Sequence, residues 1–511
     1  MRGPHNILRL LRVGATFERT GAMRVVLDAA NAPRNIRFAA KALLAPFRWI
    51  GVKGNPEQPP IVRALNALGP AYIKFGQLLS TRPDIVGSKL ADELRILQDK
   101  LPPFATSEAK ETVRHELGID VDETFLEFSD PVAAASIAQV HRAIIRDGGG
   151  EVAVKVLRPG IEKAFKRDVD AFHFAAAMIG FLLPFSRRLR PRAVVSHFES
   201  VVLRELDLRL EAAAADELRS AAVNDEGITI PAINWHLSGR RVVTIGWVDG
   251  INLGNMEELR SAGHDLPGLG RRLLQMFLRQ VLRDGHFHAD LHQGNLKVSD
   301  SGDLVVLDFG IMGRIDEFTR RTYAEIVMGF LRRDYENVAR VHFEAGYVPS
   351  DRNIHEFAQA LRSVNEPIFD MEASRISMAK LLAHLFEVTE QFGMTTRTEL
   401  ILLQRTMVVA EGVARTLDPK INFSDAARPI VDEYVRSNLG LTAARRDIKR
   451  VARTLHRIGP RLPDLIEGAV RKLDPKAKPE RQQSVYQPVA VFLLGALTMA
   501  TGILVIHFLT Q

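Results

Sequence analysis

The sequence predicts an α+β chain: a small lobe built on an antiparallel sheet, a larger and mostly helical lobe, a helical extension in front and an apolar helix at the end. Three observations carry this expectation. Strand-like alternation clusters at 132–157 and at Arg241–Val248, with helical patterns between and after. Two short apolar runs, Leu296–Val298 and Leu304–Leu307, are joined by the turn Asp300-Ser-Gly-Asp303 and read as a hairpin. The segment Val489–Leu509 runs for 21 residues without Asp, Glu, Lys or Arg.

The elements follow in chain order. Residues 1–54 form a basic leader with ten Lys/Arg against Glu18 and Asp28. Arg9, Arg12 and Glu18 interrupt any signal-peptide core, while Ile7, Leu8, Leu10, Leu11 and Val13 could line one side of a helix, for a membrane surface or for packing on the body. The polar, proline-rich stretch Gly54–Pro60 ends the leader. Residues 55–130 read as a helical extension, broken at Leu101-Pro-Pro-Phe104. Residues 131–250 read as the small lobe, with inserted helices and a hinge at Asp249–Asn252. Within it, Arg192 to Ala222 is rich in helix formers, and Asp207 and Glu211, four apart, are expected on one helix face.

Residues 251–440 read as the helical lobe. Leu273, Leu274, Phe277, Leu278, Val281 and Leu282 have core spacing, as do Ile401, Leu402, Leu403, Met407 and Val408. Residues 441–487 hold twelve Lys/Arg against five acids, with a solvated linker at Pro475–Pro479, and 488–511 form the apolar tail.

Composition sets further bounds. The absence of cysteine excludes disulfides, thiolate zinc sites and a cysteine nucleophile. The net charge of +7 sits at the two ends. Neither end has an aromatic-laced basic motif, so anionic lipid is expected as a partner and nucleic acid is not. About 20 apolar residues cross a hydrocarbon core of about 30 Å, so the tail is expected to span a membrane once. Arg471, Lys472, Lys476, Lys478 and Arg481 precede it, which places the body on the cytoplasmic side.

The chemistry is concentrated in His288-Ala-Asp-Leu-His-Gln-Gly-Asn295 and Asp308-Phe-Gly310. Phosphoryl transfer needs oxygen ligands for a magnesium ion that bridges phosphates, and a carboxylate at the attacking group. Asp290 is the candidate for the acceptor side, and Asn295 and Asp308 for Mg²⁺. Upstream, Lys155 is the one lysine in the strand Glu151–Leu157 and could face a phosphate. The segment Val132, Ala133, Ala134, Ala135, Ser136, Ile137, Ala138, Gln139 and Val140 stands where a protein kinase has its Gly-rich loop. Small side chains let backbone amides approach a phosphate, while alanine makes the loop stiffer than glycine would. Glu211 is the candidate partner of Lys155.

These motifs, together with Lys74-Phe-Gly-Gln77 and Glu205-Leu-Asp207, resemble the UbiB family of atypical kinases, which supports ubiquinone biosynthesis. The resemblance spans about residues 60–440. It implies a protein-kinase-like two-lobed fold and an ATP (or ADP) site with Mg²⁺. It also implies that Lys74, Glu205 and Asp207 act at a catalytic centre where the extension covers the peptide cleft. ATPase or small-molecule kinase work is then expected rather than protein phosphorylation. The implied setting is the cell inner membrane, and the implied partners are quinone-biosynthesis lipid intermediates and the enzymes of that pathway. A nucleotide-dependent scaffold and a small-molecule kinase of the aminoglycoside-phosphotransferase type are the alternatives.

Overall fold

The computed structural model describes residues 6–29, 44–80, 88–94, 101–182, 191–369 and 398–438, with a few positions between these stretches, among them 96–97 and 391–394. The chain forms one compact unit to Val431 and a second from Asp432, of which 432–438 are described. The tail at 489–509 and the basic segment before it lie outside the described residues. Among the described residues, no helix is long and apolar enough to cross a membrane.

The leader contributes α1 (Asn6–Thr20) and α2 (Ala22–Ala29), and the extension α3 (Pro60–Leu68), α4 (Pro70–Ser80), α5 (Ser88–Leu94) and α6 (Thr106–Leu117). Pro60 and Pro70 start α3 and α4, where a missing N–H costs nothing. The small lobe then follows with β1 (Phe125–Ala134), β2 (Ala138–Ile145) and β3 (Gly150–Leu157). Next come α7 (Ile161–Leu182), α8 (Pro191–Glu205), α9 (Leu208–Ala221), β4 (Ile228–Thr229) and β5 (Val242–Gly246). Strands β1, β2, β3 and β5 form an antiparallel sheet in that order.

Two boundaries differ from expectation. The sheet begins at Phe125, inside the stretch read as helical, and Asp130-Pro131 does not end it. β1 is an edge strand with register shifts on both sides of Pro131. An edge position with bulges accommodates a residue that cannot donate to the ladder. The Arg192–Ala222 region is two helices rather than one. α8 stops at Glu205, and Asp207 caps α9 by accepting the Arg209 N–H at 3.2 Å. Asp207 and Glu211 therefore do not lie as an i, i+4 pair within a helix. A side chain that bonds its own following backbone favours caps over interiors.

The helical lobe runs β6 (Ile251–Asn252), α10 (Met256–Ser261), α11 (Leu266–Arg279), β7 (His286–His288), β8 (Leu296–Val298), β9 (Leu304–Val306) and β10 (Met312–Arg314). It continues with α12 (Glu317–Leu331), α13 (Tyr335–Glu344), α14 (Ile354–Phe369), α15 (Thr398–Leu417) and α16 (Phe423–Asn438). The hairpin read from sequence is β8–β9, with Leu296 opposite Val306 and Val298 opposite Leu304. A π-helical turn at Gln280–Asp284 ends α11 and feeds β7.

Packing fixes both faces of the small sheet. Val152, Val154 and Val156 point to a cluster with Val113, Val121 and Phe125. Leu157 joins the opposite cluster, where Tyr72, Phe165, Phe172 and Phe198 bring the extension against α7 and α8. The period of two along β3 thus leaves Lys155 on the side that faces the extension. In α11, Leu273, Leu274, Phe277 and Leu278 are fully buried, as are Val281 and Leu282 in the turn that follows it. In α15 Leu403 is buried but Ile401 is exposed, because it stands in the first turn, beyond the face that packs on α11.

Candidate active site

Lys155 sits at the centre of β3, opposite Val140 on one side and Val243 on the other. Its Nζ donates to both oxygens of Glu211, at 2.6 and 2.9 Å, and lies 3.5 Å from Asp308 Oδ1. Burial opposes the ammonium, but the two carboxylates outweigh it, so Lys155 is held above its ordinary pKa. Asp308 is pulled down to about 2, chiefly by Lys155, against the effect of burial. Glu211 is pushed up by burial, which Lys155 offsets only in part. Asp308 is thus the stronger acid of the pair. Its side chain is also the more open, 53% exposed against 14% for Glu211.

Asp308 has φ 55, one of two non-glycine residues at positive φ among those described. Aspartate tolerates this left-handed conformation better than most side chains, and here its Oδ1 accepts the Gly310 N–H at 3.2 Å. The backbone around it is held by pairing: the Leu307 N–H donates to Asn295 O at 2.8 Å, which brings the two ends of the β8–β9 hairpin together.

His288 ties the pieces. Its Nδ1 accepts the Asp290 N–H at 3.1 Å, so the proton of this neutral ring belongs on Nε2, which donates to Asp308 O at 2.8 Å. Burial keeps the imidazole below its usual pKa and hence uncharged. The His288 N–H in turn donates to Gln280 Oε1 at 3.0 Å, from the π-helical turn. Asn295 donates its amide N–H to Asp290 O at 3.0 Å, which presents the amide oxygen as its coordinating atom. Asp290 Oδ2 lies 3.6 Å from His292 Nε2.

Helix α15 braces this loop from outside. Thr406 Oγ1 donates to Ala289 O at 3.2 Å, and Gln293 Nε2 donates to Thr416 Oγ1 at 3.0 Å. Gln280, Thr406 and Thr416 had no role in the sequence reading, and His288 entered it only as the first residue of the motif. Of these three only Gln280 left a signal, as a polar side chain in the apolar periodicity that runs from α11 into the π-helical turn.

The extension reaches the same place. Lys74 Nζ on α4 is 3.1 Å from Glu205 Oε2, both largely buried. Lys74 is close enough to lower Asp308, and Glu205 close enough to raise Glu211. Asp207 lies apart from this network: the Arg209 guanidinium grips its carboxylate at 2.9 and 2.7 Å and holds it below the usual range. Gly76 faces Leu65 and Leu97, where a Cβ would collide, so it serves helix packing rather than backbone approach to a ligand.

In the alanine loop, Ala133 and Ala134 end β1 and the Ala135 N–H donates to Ala138 O at 2.8 Å, a tight turn with Ser136 and Ile137 at its tip. Arg158 grips Ala135 O through Nε and Nη2 at 3.2 and 3.0 Å, and Pro102 O at 2.8 Å. The loop is therefore tied to the linker before α6. Val132 is exposed, while Ala138 is buried and Val140 lies in the ladder beside Lys155. Gln139 is buried and trades hydrogen bonds with the Phe104 backbone.

Asn295 and Asp308 supply two oxygen donors. Among the described residues no group of three or more His, Cys, Asp or Glu could hold a metal by itself. Two donors suit Mg²⁺, which is commonly bound by one or two side chains and completed by phosphate oxygens and water.

A strand lysine paired to a helix glutamate, a loop aspartate and asparagine, and an Asp-Phe-Gly turn on an antiparallel-sheet lobe and a helical lobe define a protein-kinase-like chain. The comparisons narrow this. The ABC1 atypical kinase-like domain matches residues 96–342 and the UbiB helical domain matches 361–422. The chain belongs to the UbiB family. Among solved structures, the Mycobacterium tuberculosis protein Rv3197, determined in complex with erythromycin, is similar at 25% identity with a TM-score of 0.51. That match covers 70% of this chain and 90% of the other.

Proposed function

We propose that this chain is a membrane-anchored atypical kinase or ATPase that uses Mg-ATP in support of ubiquinone biosynthesis, acting on or exposing lipid intermediates. The observation that carries the nucleotide reading is the contact of Lys155 with Glu211 and Asp308. That contact brings one ammonium and one open carboxylate together, which supports a site for phosphate and metal. In this reading Lys155 holds phosphate oxygens and Glu211 fixes its direction. Asn295 and Asp308 hold Mg²⁺, which would neutralise charge developing on the phosphates. Asp290, on a loop fixed by His288 and Asn295, orients the acceptor and takes its proton. The Lys74–Glu205 pair places the extension beside the site, which supports small acceptors or water over peptides.

Membrane attachment rests on the apolar segment 489–509 and the basic residues before it, with the body cytoplasmic at the inner membrane. A scaffold that binds nucleotide without turning it over is the reading from another class. A third reading, a small-molecule phosphotransferase, has one specific support, the relative solved with erythromycin. ATP hydrolysis measured with and without anionic liposomes and a quinone-like phenol separates them. Stimulated turnover lost in Asp290→Asn and Asp308→Asn supports the proposal. Nucleotide binding with no turnover under any condition favours the scaffold, and transfer of phosphate to a macrolide favours the third reading.

A further inference from the structure

The leader carries a built, strongly basic concavity of about 550 Å³ that the nucleotide site does not use. It is lined by Arg19, Arg48, Lys53, Arg63 and Trp49, with no carboxylate in the lining. Among the described residues, none of the four cations has an acidic partner. The walls are set by backbone contacts. Residues 45–52 seat against the second half of α1, where the Val52 N–H donates to Thr16 Oγ1 at 3.1 Å and Gly51 packs on Ala15. Arg19 Nη1 donates to Gly51 O at 2.5 Å. Arg63 Nη2 donates to Pro56 O and Gln58 O at 3.0 and 3.1 Å. Two guanidiniums are thus held in place by neutral carbonyls, with no carboxylate paired to them among the described residues.

Trp49 stands at the rim, 78% exposed. Leu8, 76% exposed, is eleven residues before Arg19 on α1, so the two lie within about 20° on the helix surface. Arg12, also exposed, lies between them along the helix and about 40° round from Leu8. One side of the leader therefore offers an open indole, a leucine and a row of cations that have no acidic partner in ion-pair contact among the described residues. An indole belongs at the headgroup level of a bilayer, and unpaired cations beside it favour anionic headgroups.

We infer that this concavity docks the phosphate headgroup of an anionic phospholipid, with Trp49 seated in the interface. The inference deepens the membrane reading above and gives the cytoplasmic body a second point of attachment, independent of the tail.

The test uses the full chain with vesicles of phosphatidylcholine alone or with added phosphatidylglycerol, the acyl chains brominated to quench nearby indoles. Trp49→Phe identifies the Trp49 part of the emission among the three tryptophans. Quenching of Trp49 that requires phosphatidylglycerol, and that needs at least tenfold more of it in Arg48→Glu/Lys53→Glu, supports the site. The apolar tail would hold the chain on either vesicle, so headgroup dependence isolates the leader. Co-sedimentation with both vesicles but no Trp49 quenching overturns the docking site while leaving the anchor intact. Co-sedimentation and quenching only with phosphatidylglycerol support the site and refute the anchor. Equal quenching on both vesicles, or quenching unchanged in the double variant, overturns it.

Discussion

The Nε2 of His288 lies 2.8 Å from the carbonyl oxygen of Asp308, and this bond joins the loop of Asp290 to the turn that carries the Asp308 carboxylate. Because His288 Nδ1 also accepts the Asp290 N–H, one neutral ring fixes both acidic positions. Replacing it by leucine removes both bonds and leaves buried polar groups without partners, at about 1–3 kcal/mol each. We expect His288→Leu to lower ATP turnover by at least tenfold, and a smaller loss in His288→Asn, which keeps an acceptor near Asp290. Steady-state ATPase rates, with nucleotide affinity measured separately, check this. Turnover unchanged in His288→Leu would remove its positioning role.

Lys155, Glu211 and Asp308 should behave as one energetic unit. Lys155→Met leaves two carboxylates facing each other without a cation. Breaking a buried pair costs about 3–5 kcal/mol when the survivor stays charged. Here the loss should be about 2 kcal/mol, since Glu211 is already raised toward protonation and Asp308 is half open. Lys155→Met/Glu211→Gln should regain part of this loss. Urea denaturation of the single and double variants measures the coupling; strictly additive effects would contradict the shared network.

Stability should fall with acid as the buried imidazoles are forced to take up protons. His141, His286, His288 and His342 are all held below the ordinary 6.5, in each case first by burial. Their unfolded forms take up protons that the folded forms refuse. The stabilisation is therefore complete above the unfolded value and is lost as pH falls from about 6.5 through the folded values. A thermal midpoint that drops by several degrees between pH 7.5 and 5.5 is expected, with a shallower dependence in His288→Asn. A flat profile would show that these rings do not resist protonation.

Gly76→Ala tests the packing of α4. The new Cβ would collide with Leu97 and stand 2.7 Å from Leu65 Cδ1. Overpacking costs about 1–3 kcal/mol, against about 1 kcal/mol gained in helix propensity. A net loss of stability is expected, with nucleotide affinity reduced only as far as Lys74 moves with its helix. A more stable variant would show that the leucines yield.

Much of this was legible in the chain and some was not. The β8–β9 hairpin followed from two apolar runs and a turn of Asp, Ser and Gly, a purely local signal. The strand of Lys155 followed from alternation. The start of β1 was hidden because Pro131 argues against a strand unless it lies on an edge, and edge position is a tertiary fact. The break between α8 and α9 was hidden because Asp207 reads equally as a helix-face acid or a cap. The brace from Thr406 and Thr416 spans more than 115 residues and leaves no local pattern. The tail at 489–509 remains an expectation of the sequence.

The most direct test of the central claim, that Lys155, Asp290, Asn295 and Asp308 meet around a magnesium-bound triphosphate, is calorimetric titration of ATP into the full chain and into Asp308→Asn, with and without Mg²⁺. Asparagine tolerates the left-handed backbone at 308, so the substitution removes the charge and keeps the turn. The account predicts that Mg²⁺ tightens ATP binding by at least tenfold in the native chain and has little effect in the variant. An equal Mg²⁺ effect in both proteins, or no ATP binding in either, would contradict it.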